Sequence, residues 1–161
     1  MNFHNVCADV APGTLFLADA GSGTAQYCIK AIDKNTQRAW VAMLYPSEDE
    51  YNNKPGLLHE DLFQNRAIVT LGDAVLCPQL DDSTKVVTQG FSAEPGSLYL
   101  ADDGSAWVCI ASGKGSQRPF VNIRSGEFVA SIKASERALV KAWLVSIPKP
   151  PDHEKLFSVS V

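Results

Sequence analysis

The chain has 161 residues, 45% hydrophobic and 20% charged, with a net charge of −4. That composition fits one soluble domain, or two very small ones sharing a core. The basic residues are scattered, which makes nucleic acid an unlikely partner, and no apolar run nears the ~20 residues of a membrane span.

Residues 1–11 are read as a short N-terminal segment. "MNFHNVCADVAPG" carries neither the basic flank nor the apolar stretch of a leader, so a cytoplasmic protein is expected. Cys7, Cys28, Cys77 and Cys109 show no C-x-x-C spacing, which predicts thiols rather than a zinc site. No metal and no cofactor is expected.

From Pro12 the chain reads "PGTLFLADAGSGTAQYCIKA", and from Pro95 it nearly repeats itself as "PGSLYLADDGSAWVCIA". The matches continue in one order. "KNTQRAWV" returns as "KGSQRPFV", "RAIV" as "RALV", and Lys85-Val86-Val87 as Lys155-Leu156-Phe157. This order predicts one duplication, with copies at 12–88 and 95–161 joined by a linker at 89–94. The copies would stand about a pseudo-two-fold, as separate units or packed as a single domain.

Each copy opens with short apolar and aromatic runs of strand character, "TLFLADA" and "SLYLADD". "AQYCIKAI" and "AWVCIAS" follow them. Asp103-Gly104 between such runs predicts a type I′ hairpin, and Asp19 and Asp102 sit where a side chain braces a turn. Polar turns then lead into "RAWVAMLY" and "RPFVNIR", the second starting at, or lying at an edge because of, Pro119.

The fourth segments, "RAIVTLGDAVLCP" and "RALVKAWLVSIP", are apolar runs that periodicity alone does not assign. Gly72-Asp73 favours a kinked or bulged strand over 66–77, and its copy over 135–147 follows; one helix per copy is the alternative. With a closing strand, each copy reads as a five-stranded barrel or sandwich of SH3-like size, so the fold class is all-β.

The copies differ most between Val41 and Arg66, where the first is about nine residues longer. The excess, "YPSEDEYNNKPGLLHEDLFQN", is long for a connection and is read as a lid or binding loop over a pocket between the copies. Its Tyr45, Glu48, Asp49, Glu50, Tyr51, His59, Glu60 and Asp61 supply aromatic faces and carboxylates for a cation or a sugar. The matched Arg38 and Arg118 would either pair with turn carboxylates such as Asp19 and Asp102 or clamp an anion together. Trp107, beside the shortened hairpin, completes the candidate set.

The function expected is therefore a non-catalytic binding module for a small molecule or a protein, with a homodimer as one arrangement. The alternative is a hydrolase or lyase-like enzyme using Glu50 and Glu60 as carboxylates and His59 as base.

Overall fold

The computed structural model describes residues 2–4, 9–19, 23, 25–45, 55–64, 66–82, 84–87, 94–111, 119–132 and 137–161. Its strands in the first half are β1 (Asn2–His4), β2 (Leu15–Asp19), β3 (Ala25–Asp33), β4 (Ala39–Tyr45), β5 (Gly56–His59), β6 (Ile68–Thr70), β7 (Val75–Gln79) and β8 (Lys85–Val87). The second half supplies β9 (Leu98–Ala101), β10 (Ala106–Cys109), β11 (Phe120–Asn122), β12 (Glu127–Val129), β13 (Arg137–Val140), β14 (Ala142–Lys149) and β15 (Asp152–Ser160). The protein is all-β, with no α-helix among the described residues and a 3-10 turn over Glu60–Phe63.

Twelve strands form one sheet, in the order β1-β6-β2-β3-β12-β11-β10-β9-β13-β8, with β4 also on β3 and β5 on β4. A second sheet runs β15-β14-β7. No pairing among the described residues closes the large sheet into a barrel: its path ends at β1 and β8.

The segments that match in sequence run through this sheet alike. β2 lies between β3 and β6, and β3 carries β4; β9 lies between β10 and β13, and β10 carries β11. The registers differ, however. Phe16 faces Cys28, whereas its match Tyr99 faces Trp107, two residues before Cys109. A slip of two leaves every side chain on its own face of the pleat, so the apolar pattern survives it.

The fourth segments are strands, each broken in two. Ala74 N–H closes a tight turn onto Leu71 O at 3.1 Å, so Gly72-Asp73 is a turn between β6 and β7 rather than a kink within one strand. Each segment thereby leaves the large sheet (β6, β13) for the small one (β7, β14).

The Asp103-Gly104 hairpin also differs from the type I′ expectation. Gly104 alone has positive φ, +79°, while Ala101 N–H bonds Ser105 O. The loop is thus three residues with glycine at its left-handed position. Asp103 braces it by accepting from Ser105 N at 2.8 Å; in the first half Asp19 braces its own turn by accepting from Gly23 N at 3.1 Å.

Among the described residues three strand pairings and one β-bridge cross between the halves. β12 runs parallel to β3 (Glu127 with Ile32), β7 pairs β14, β8 pairs β13, and Gly56 bridges Ala111. The main core accordingly mixes Ile29, Ala42 and Leu44 with Leu98, Val108, Val121, Trp143 and Phe157. Two satellite cores stay within the halves, Phe16 on Phe63 in one and Tyr99 on Phe120 in the other, both edge to face. Cys28 and Cys109, both buried and outside any disulfide, lie in those satellites. No described helix is long and apolar enough to cross a membrane.

Candidate functional site

Crossing the strands between halves leaves a cavity of about 930 Å³ where they meet. The first half contributes the loop entering β2 (Pro12 to Leu15) and the β6–β7 turn; the second contributes the 103–106 hairpin and the turn after β11. Leu15, Ile29, Leu44, Leu76 and Val145 give it an apolar floor, and Thr14, Asn122, Arg124, Asp103 and Ser105 a polar rim.

The rim is held by local chemistry. Asn122, buried at the end of β11, turns its side-chain oxygen back to accept from Arg124 N at 2.9 Å and Ser125 N at 3.0 Å. This fixes a tight turn whose Gly126 (φ +70°) lies against Gly13 (φ +82°). A Cβ on Gly13 would overlap the Arg124 carbonyl, and one on Gly126 would overlap Gly13 N and Lys30 O. Only glycine allows backbones this close at such φ. On the opposite rim Asp103 accepts from both Ser105 N–H and Ser105 O–H, which holds its carboxyl below the usual range.

A second cavity, about 530 Å³, lies across the same hairpin. Asp103 and Ser105 line both spaces. Trp107 forms a wall of the second, with Lys34, Asn35, Glu127 and Val129 around it.

Of the candidate site residues read from the sequence, Trp107 is the one among the described residues that lines either of these two cavities. Glu48, Asp49, Glu50, Tyr51 and Arg118 lie outside the described residues, as does the side chain of Tyr45, whose backbone ends β4 opposite Tyr27. Arg38 does not pair with Asp19; its guanidinium stacks 5.6 Å over the Trp40 ring. The partner of Asp19 is Arg66, at 3.9 Å from its carboxylate and 3.0 Å from its carbonyl oxygen.

His59, Glu60 and Asp61 point to different tasks, as consecutive residues at a strand end must. Glu60 turns inward to an ion pair with Lys30, which is 5% exposed. His59 packs edge-on against Trp40 and caps the 3-10 turn, with Nδ1 2.8 Å from Asp61 Oδ2 and 3.3 Å from Asp61 N. Neutral, that nitrogen accepts from the N–H; protonated, it donates to the carboxylate. His59 Nε2 and Trp40 Nε1 are buried with no hydrogen-bond partner among the described residues. Among the described residues no three His, Cys, Asp or Glu side chains converge as a metal site would require.

The Lys30–Glu60 pair has a measurable consequence. Glu60→Leu strips the carboxylate from a buried ammonium and is expected to cost about 3 kcal/mol in urea unfolding. Adding Lys30→Met removes the stranded charge and should restore most of the loss. A Glu60→Leu protein as stable as the parent would show that the pair contributes nothing to the fold.

Sequence reading missed Lys30, Thr14, Asn122 and Arg124. Lys30 carried a signal, a lysine inside the apolar run "CIKAI" that a buried strand tolerates only beside a counter-charge. Asn122 carried a weaker one in "NIRSG", a sequence suited to a side-chain-capped turn. Compared with protein-family models, curated proteins and solved structures, the chain matches none.

Proposed function

We propose that the chain is a non-catalytic binding module whose ligand is a small amphipathic molecule held in the cavity between its halves. The observation that carries this reading is the cavity itself. Its volume of about 930 Å³ suits a small molecule, and it joins an apolar floor to a few polar groups at one rim. An apolar body would lie on Leu15, Ile29 and Leu76, and a polar end would meet Arg124 and Thr14. Of the 45–65 segment read as a lid, residues 56–63 are instead β5 and the 3-10 turn, packed on β4 and lining neither cavity, so the lid of this reading is the rest of that segment, which follows the floor residue Leu44.

The duplication belongs to the same proposal. Two SH3-sized halves with one strand order, each entered through Pro-Gly, would produce a site at their junction and nowhere else. The location proposed is cytoplasmic, and a second copy would pair at the open edge of β8, where Lys85 guards an exposed Val86.

The alternative, a His-dependent hydrolase or lyase, rests on the 2.8 Å contact of His59 with Asp61. It loses its second carboxylate to the Lys30 ion pair, and His59 borders neither cavity.

The test is a thermal-shift screen with fatty acids, aromatic acids, nucleosides and amino acids. A compound at 100 times its Kd adds about 2.7 kcal/mol, a rise of a few degrees. Val75→Trp fills the cavity from an exposed position and should abolish the shift without lowering the unliganded Tm. A compound whose shift survives Val75→Trp, or silence across the panel, overturns the reading; turnover lost in His59→Ala would establish the alternative.

A further inference from the structure

We propose that the cavity beside Trp107 is a separate binding site for a neutral, polyhydroxylated ring, a pyranose sugar in its simplest form. The proposal does not depend on the junction cavity having a ligand.

The ring of Trp107 is fixed before anything binds. Its indole N–H donates to Ser105 Oγ at 2.6 Å, and the Ser105 hydroxyl donates in turn to Asp103 Oδ1 at 2.5 Å. Its single polar atom is thereby consumed, and what Trp107 offers the cavity is ring surface. An aromatic face with no free donor recognises by stacking, and its negative π-cloud favours the polarised C–H face of a sugar or a cation.

The surrounding charges decide between those two. Glu127, the carboxylate that would attract a cation, is taken by Lys34 at 2.7 Å. Lys34 and Glu127 both line the cavity, so the wall holds a neutralised pair rather than an open negative charge. Asp103 remains ionised and accepts both Ser105 bonds through Oδ1, so the wall also carries one carboxylate that can accept from a ring hydroxyl. The remaining polar groups, Asn35 and Ser131, are neutral and both donate and accept. A flat apolar face beside neutral donors and acceptors and one carboxylate suits a ring with C–H bonds on one side and hydroxyls at its rim. The volume, about 530 Å³, accommodates one or two such rings.

The experiment titrates the intact protein with glucose, galactose, mannose and N-acetylglucosamine. Saturation-transfer NMR is read together with tryptophan fluorescence, and tetramethylammonium serves as the competing class. At least one sugar is expected to bind saturably in the millimolar range, with its ring C–H protons most strongly saturated. Trp107→Ala should weaken it at least tenfold. Trp107→Phe, which keeps a stacking face and protects against loss of fold, should weaken it less. Ser105→Ala, which releases the indole N–H, should weaken it several-fold, and Val75→Trp in the other cavity should leave it unchanged. Three results overturn the proposal: no saturable sugar binding, binding indifferent to Trp107→Ala in a folded protein, or Trp107-dependent binding of tetramethylammonium without any sugar.

Discussion

Gly126→Ala is expected to lower stability by about 3 to 5 kcal/mol, read as a fall in the urea midpoint at unchanged slope. Two costs combine. Gly126 has φ +70°, where a side chain costs about 1–2 kcal/mol, and its new Cβ would meet Gly13 N and Lys30 O. Both are backbone atoms, so no rotamer change relieves the overlap. Gly104→Ala separates the two costs: its φ is +79°, yet nothing lies within 4 Å of the added Cβ. That substitution should cost only the conformational part, about 1–2 kcal/mol. Equal losses at the two positions would mean that the close approach of the halves contributes nothing. Because the same contact forms the cavity rim, any folded Gly126→Ala protein should also bind junction ligands poorly.

Trp143→Ala is the second large effect, about 3–5 kcal/mol. Trp143 is fully buried, packs edge-on against Phe157 at 6.0 Å, and donates its indole N–H to Gly96 O at 2.7 Å. Phe157 lies 4.5 Å from Tyr27, so the stack runs from the small sheet into the first half. Trp143→Phe keeps most of the apolar volume but strands the Gly96 carbonyl, for an expected loss of about 1–3 kcal/mol. The ordering Ala worse than Phe is the decisive outcome. If the two cost the same, the hydrogen bond matters more than the packing, and Trp143 is an anchor for the Pro95-Gly96 turn rather than a plug of the core.

What was legible in the sequence follows what is local. The hairpins β2–β3 and β9–β10 are written in alternating apolar residues flanking Gly-rich turns, and Gly72-Asp73 ruled correctly for strands in a run that periodicity left open. The crossings were not legible. Nothing in the neighbourhood of Ile32 says that Glu127 will lie beside it, since parallel pairing carries no turn signal. The type I′ expectation at Asp103-Gly104 failed because the dipeptide serves both two- and three-residue loops, and the Asp103 carboxylate favours the one that lets it accept from Ser105.

The site divides the same way. Trp107 stood out by its difference from the first copy, and it lines a cavity. Glu60 was read as a free carboxylate because its partner Lys30 lies thirty residues upstream, and nothing local to either residue names the other. The junction rim was hidden in another sense: Asp103 and Gly104 were read as turn residues, which they are, and turns of two halves packed together also make walls.

The exchange of strands between halves bears finally on how the chain reaches this state. β3 waits for β12, β7 for β14 and β8 for β13, so the first half cannot complete its pairing until nearly all of the second has arrived. Folding dominated by such distant contacts is slow, because loop closure is incurred before the contacts repay it. During that interval β3 lacks the neighbour that later covers it and β8 is open on both sides rather than one, so the half-assembled chain is more exposed to aggregation than the finished fold.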